Sequence, residues 1–149
     1  MKPSGRNGRE RRGSGTYFLV LRLPNRARIA IGKLGRFELR PGYYCYVGSG
    51  FGPGGVLSRL AHHFRPVEHP HWHVDHLRKV ALVEEAWYAV HERKHEHRWA
   101  AILGRMPGAS IAIPRFGSSD CSCPGHLLYF RTRPATGEFA RPLRARLVE

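Results

Sequence analysis

Three groups of side chains in this sequence have the types and spacing to do chemistry. The first lies in Tyr43 to His63, YYCYVGSGFGPGGVLSRLAHH, where a glycine-rich turn separates a tyrosine-rich run from Arg59 and His63. Such a turn between strand and helix leaves amides unpaired and aims them, with the positive helix end, at one space, which suits phosphate. Arg59 and His63 are four residues apart, so on a helix they share a polar face about 6 Å apart that can point into a cleft. Gly50, Gly52, Gly54 and Gly55 fit a dinucleotide fingerprint only roughly. The run before them is aromatic, no long βαβ repeat follows and no acidic residue sits about 20 positions on, which argues against that fold.

The second group is His69 to His76, HPHWHVDH, four histidines and an aspartate in eight residues. Neutral imidazole is a common metal ligand, so one reading is metal binding. The other is structural, with Trp72 in the core and Asp75 capping nearby backbone. The third group is the loop from Phe116 to His126, with Cys121, Cys123 and His126. These can ligate zinc with a fourth donor from His73, His71 or Asp120, although the spacing is tighter than the usual pair. A hydrogen-bonded scaffold and a redox pair are the other readings of that loop.

Elements to position these groups follow from periodicity. Thr16 to Leu23 alternates as a strand, Pro24-Asn25 signals a turn, and Arg28 to Gly32 reads as the returning strand of a hairpin. Gly35 to Leu39 is a short extended piece, and Pro41-Gly42 turns the chain into a central strand, Tyr43 to Val47. Period-2 geometry puts Tyr44 and Tyr46 on one face and Tyr43, Cys45 and Val47 on the other. Val56, Leu57, Leu60 and Phe64 recur at helical spacing, and a short helix begins near His73. Val80 to Val90 reads as a strand with Trp87 and Val90 as core candidates. A charged helix start at His91 to His97 leads to an apolar stripe of Trp99, Ile102 and Leu103. Ile111 to Pro114 and Leu127 to Arg131 close the set. The fold class expected is α+β, a small, mainly antiparallel sheet flanked by helices. Residues 1–13 read as a flexible basic tail, 14–131 as the folded domain and 132–149 as a second basic tail.

The 149 residues and 42% hydrophobic content suffice for one modest core. Twenty-five Lys and Arg against eleven Asp and Glu give a formal charge of +14, a bias toward polyanions, of which nucleic acid is the commonest. Three cysteines, two of them one residue apart, imply no disulfide framework and point to a reducing, cytoplasmic setting. No run of about 18 apolar residues suggests a membrane span.

Gly15-Thr16-Tyr17, Tyr46-Val47-Gly48 and the following Arg59 together resemble the GIY-YIG nuclease superfamily. More closely, the chain resembles a small branch of it, found alone or joined to DNA glycosylases of the endonuclease III type. That branch carries GTY, PGYYxYVGS, RLxHH, HWHxDxL and FGSSDCxCxxHL, here at residues 15–17, 41–49, 59–63, 71–77 and 116–127. The resemblance spans about residues 14–131, and five motifs in this order are fairly specific. It implies an endonuclease that hydrolyses DNA phosphodiesters with one Mg²⁺ or Mn²⁺ ion, in a DNA-repair setting with a repair-protein partner. Tyr17 is then the general base, Tyr46 orients water or phosphate, and Arg59 holds the phosphate. His63 assists as a donor or proton shuttle, and Glu96 carries the ion, with Glu92 as the alternative. Gly48, Ser49, Arg65 and His73 are the expected nucleic-acid contacts. A tyrosine hydroxyl, with its ordinary pKa near 10, needs a cation or arginine beside it to serve as a base. Twenty-eight residues separate Tyr17 from Tyr46, far more than in compact members of that superfamily, so a hairpin must be inserted between the paired strands. Two other readings stand beside the nuclease. One is a non-catalytic nucleic-acid-binding module stacking bases on Tyr17, Tyr44 and Trp72, and the other a zinc-stabilised interaction protein.

Overall fold

A computed structural model describes residues 13–117 and 125–148. The elements in chain order are β1 (Gly15–Leu23), β2 (Ala27–Ile31), a 3-10 turn (Gly32–Leu34), β3 (Gly35–Leu39), β4 (Gly42–Gly50) and α1 (Gly55–Phe64). Then come α2 (His73–Leu77), β5 (Leu82–Val90), α3 (Glu96–Gly104), β6 (Ser110–Ile111), β7 (Leu127–Phe130), α4 (Thr136–Leu143) and β8 (Arg146–Leu147). Six strands form one sheet in the order β6-β7-β4-β1-β5-β8, every neighbour antiparallel. The architecture is the α+β class expected, an antiparallel sheet flanked by helices. Among the described residues no helix is long and apolar enough to cross a membrane.

β1 is central because its apolar residues are continuous, Phe18 to Leu21, and such a strand is stable only when both faces are covered. Alternation then divides the sheet. Tyr17, Leu19 and Leu21, with Tyr44 and Tyr46 of β4, meet Val56 and Leu60 of α1 and Val74 and Leu77 of α2. On the opposite face, Phe18, Val20, Cys45 and Val47 meet Trp99, Ala100 and Leu103 of α3 and Phe139, Ala140 and Leu143 of α4.

Three expectations are corrected. Arg28 to Gly32 does not return against Thr16 to Leu23. β2 pairs with β3 in a separate two-stranded sheet, and both edges of β1 are taken by β4 and β5. β2 leaves Arg28 and Ala30 exposed, so it cannot serve as the apolar neighbour that a strand covered on both faces needs. The inserted hairpin instead caps the first face with Ile31 and Leu39, and the β1–β4 register is kept. The stretch from Thr132 is more than a basic tail, since α4 buries Phe139, Ala140 and Leu143 and β8 extends the sheet beside β5. Those three apolar residues recur at helical spacing among arginines, and that stripe outweighs the charged composition. Val90 is no core residue, because it ends β5 and is exposed.

Candidate active site

The first face of the sheet opens at one end into a cleft of about 410 Å³. Tyr46 from β4, Arg59 from α1, Trp72 and His73 at the start of α2, and Ser49, Lys94 and Glu96 line it. Arg59 belongs there because α1 packs Val56 and Leu60 downward, which turns the intervening helix face toward the cleft. Its guanidinium lies 4.0 Å from the centroid of the Trp72 ring, which fixes the planar group while leaving its edge donors for an anion. Glu96 comes from the other side. It is the first residue of α3, the helix covering the opposite face, and reaches the cleft at the end of β4, where Ser49 Oγ donates to Glu96 Oε1 at 3.1 Å. A carboxylate in a first helical turn is favoured by the helix dipole. His126 Nδ1 lies 3.7 Å from Glu96 Oε2.

Beneath Tyr46 runs a buried polar row. The register pairs Tyr17 with Gly48 and Leu19 with Tyr46, so the two tyrosines are diagonal neighbours with ring centroids 6.2 Å apart. Tyr17 is 0% exposed, and its hydroxyl lies 2.6 Å from His63 Nε2. The phenol crosses over Gly48, where a Cβ would stand 2.5 Å from the Tyr17 oxygen, so the partner of Tyr17 must be glycine. His63 Nδ1 points toward Asp75 Oδ1 at 4.0 Å. Asp75, also 0% exposed, accepts from the amides of His71 and Trp72 at 2.8 and 2.9 Å and lies 3.1 Å from His62 Nε2. The Arg78 guanidinium lies 3.5 Å from the same carboxylate.

Burial sets the charge states in this row. Tyr17 is pushed well above its usual value by burial and by Tyr46, with Arg59 opposing. Tyr46 is pushed up to about 12 by burial, again against Arg59. Burial pushes His63 down to about 3, with Asp75 opposing, so the imidazole is neutral. Burial also raises Asp75, but the amides of Trp72 and His71 and the His62 ring outweigh it and hold the carboxyl below its usual range. The cleft therefore has a fixed cation at Arg59 and two neutral phenols beside it.

Of the residues expected from sequence, Tyr46, Arg59, Ser49, His73 and Glu96 line this one cleft. Tyr17 and His63 sit directly behind it. Gly48 does not line it, being covered by Tyr17, and Arg65 lines a neighbouring hollow that shares Arg59 and Trp72. Ser49, expected as a nucleic-acid contact, holds Glu96. His73 Nδ1 accepts from the Gly117 amide at 2.8 Å, tying α2 to the following loop, and burial lowers its pKa. Glu92 is exposed and absent from the cleft lining. Cys121 and Cys123 lie outside the described residues, as does Asp120. Sequence reasoning missed Lys94 and Phe51, which line the cleft from loops where no periodicity marks a face. Asp75 was legible as a backbone cap, and its approach to His62 and His63 was not.

A family model described as Domain of unknown function DUF123 matches residues 16–147, and the chain belongs to that family. No curated protein and no solved structure matches the chain.

Proposed function

We propose that this member of the DUF123 family is a divalent-metal-dependent endonuclease that hydrolyses DNA phosphodiesters. The observation that carries the reading is convergence. Tyr46, Arg59 and Glu96, from a strand and from helices on opposite faces of the sheet, line one cleft. These are the residue types that the GIY-YIG resemblance assigns to this chemistry. Phosphodiester hydrolysis needs a proton acceptor for water, positive charge at the phosphoryl oxygens and relief of charge on the leaving oxygen. Arg59 supplies fixed charge to the phosphate, and its stacking on Trp72 spares the guanidinium reorientation during the reaction. Lys94 adds a second cation at the rim.

The residues present fit a hard divalent ion. Glu96 offers a carboxylate already oriented by Ser49, and Mg²⁺ or Mn²⁺ is commonly held by one or two carboxylates plus water. Bound there, the ion supplies Lewis-acid stabilisation of the phosphoryl and leaving oxygens. Tyr46 is the tyrosine lining the cleft and so the one placed to take the proton of an attacking water, which it does as the phenolate, favoured by Arg59 against burial, after its own proton has left to solvent. Tyr17, buried behind it, carries on the hydrogen-bonded row to His63. The resemblance gives the base role to Tyr17 instead, and comparing Tyr17→Phe with Tyr46→Phe in single-turnover cleavage separates the two.

The decisive experiment is nicking of supercoiled plasmid and of branched DNA by the full chain with Mg²⁺ or Mn²⁺ and with chelator. Metal-dependent cleavage that falls at least about 100-fold in Arg59→Ala supports the reading. One specific observation favours a binding module instead: burial keeps both tyrosines protonated. DNA binding that survives chelation, with no product formed by the wild-type chain, would establish that module.

A further inference from the structure

We propose that His62, His63 and Asp75 form a second metal site, for one late first-row divalent cation of the zinc type, separate from Glu96. His62 Nε2 and Asp75 Oδ1 are 3.1 Å apart, His63 Nδ1 and the same oxygen 4.0 Å, and the three ligand atoms all lie within 4.8 Å of one another. Donors around a tetrahedral zinc at about 2.0–2.1 Å stand roughly 3.4 Å apart, so these spacings bracket what one ion needs. Two imidazoles and a carboxylate are the ligand types of open zinc sites, which leave a fourth position to water.

An independent observation points to a ligand. His63 is 1% exposed, and its Nδ1 has no hydrogen-bond partner although it aims at Asp75. With a proton on Nδ1, a buried donor is left without an acceptor in reach. Without one, a lone pair faces a carboxylate. Either state is costly in a buried setting, and a cation between the two groups relieves both. The surroundings are those of a supported metal ligand. Tyr17 engages the other ring nitrogen of His63, and the amides of His71 and Trp72 hold Asp75 Oδ2. Both histidines occupy the last turn of α1, where the helix dipole favours positive charge. The Arg78 guanidinium, 3.5 Å from Asp75 Oδ1, opposes a cation there, but it is also anchored to the Arg65 carbonyl, and a carboxylate oxygen has room for more than one partner. The fourth position has access to solvent, since the His62 side chain is 33% exposed and lines a hollow of about 340 Å³ with Ser58 and Arg65.

An ion on Nδ1 forces the proton onto Nε2, so His63 donates to the Tyr17 oxygen. That fixes the direction of the hydrogen-bonded row leading to Tyr46. Occupancy is independent of whether the cleft cuts DNA, so binding itself is the readout.

The test uses the full chain carrying Cys121→Ser and Cys123→Ser, which removes thiolate ligands, stripped with chelator and titrated with Co²⁺ as a spectroscopic probe. One equivalent binding with tetrahedral visible absorption, displaced by Zn²⁺, is expected. His62→Ala, at a half-buried position that leaves the core packing in place, should weaken binding at least about 100-fold, and Glu96→Ala should leave it unchanged. Asp75→Asn is the second variant and should also bind weakly. Zn²⁺ should raise the Tm of the parent and not that of His62→Ala. Absence of Co²⁺ absorption in a folded chain, binding by His62→Ala equal to the parent, or loss of binding in Glu96→Ala would each overturn the site.

Discussion

The two faces of the central sheet are made by alternate residues of the same strands, yet they are built from different chemistry. The face under α3 and α4 is nearly all carbon, with Phe18 against Phe139 at 4.8 Å between centroids and Trp99 beside both. The face under α1 and α2 carries Tyr17, Tyr46, His63 and Asp75 among its aliphatic residues. Burying hydroxyls, an imidazole and a carboxylate costs free energy unless each finds a partner, whereas burying aromatic carbon is favourable at every contact. One face therefore supplies stability, and the other uses part of that stability to hold oriented polar groups, neutral phenols and imidazole and one carboxylate, beneath a cleft. Period-2 geometry lets one strand do both.

The comparison is broken most severely by Trp99→Ala. It should destabilise the chain by about 3–5 kcal/mol, read as a drop in urea midpoint, with the spectroscopic pKa of the tyrosines in the remaining folded fraction unmoved. A small effect would show that the second face is not the source of stability. Arg59→Ala should do the reverse, with an activity loss equivalent to about 3 kcal/mol in plasmid nicking and a Tm close to wild type. Gly48→Ala falls between them. Its Cβ meets the Tyr17 oxygen, so the ring must move, at a cost of about 1–3 kcal/mol by chemical denaturation, with loss of the Tyr17–His63 contact visible in the imidazole NMR signals.

The smallest effect expected concerns Glu85, the carboxylate at the margin of the carbon-rich face. Burial raises its pKa, but Arg133, the Trp87 ring N–H and the Thr136 hydroxyl outweigh it and hold the group below its usual value. A depressed carboxyl stabilises the fold above its unfolded pKa, and that contribution is lost as pH falls through the folded value. Glu85→Gln should cost about 1 kcal/mol at neutral pH, discounted because Arg133 is partly exposed. The difference from wild type should close as pH falls from about 4.3 through the lower folded value, measured by thermal melts across that range. A gap that persists at low pH would assign the effect to packing.

Much of the first face was legible in the sequence. Alternation placed Tyr44 and Tyr46 together, and four-residue spacing placed Arg59 and His63 on one face of a helix. The pairing of β2 was not legible, because a short, partly exposed strand fits more than one neighbour and only the two-sided burial of β1 excludes it from that sheet. The helix at Thr136–Leu143 was hidden by Pro142 within it and by the arginines around it. Lys94 and Phe51 sit in loops whose path depends on where α1 and α3 begin, which local pattern does not state.

The sequence by itself determined the α+β class and which strand and helix positions share a face, because backbone geometry ties side-chain direction to position within a strand or helix. The tertiary structure alone decided that Tyr17 lies behind the cleft and Tyr46 in it, that Ser49 holds Glu96, and that Asp75 faces two histidines. The physical reason is that burial, partner choice and protonation depend on groups distant in the chain. Those distances are settled only when both faces of the sheet are covered at once.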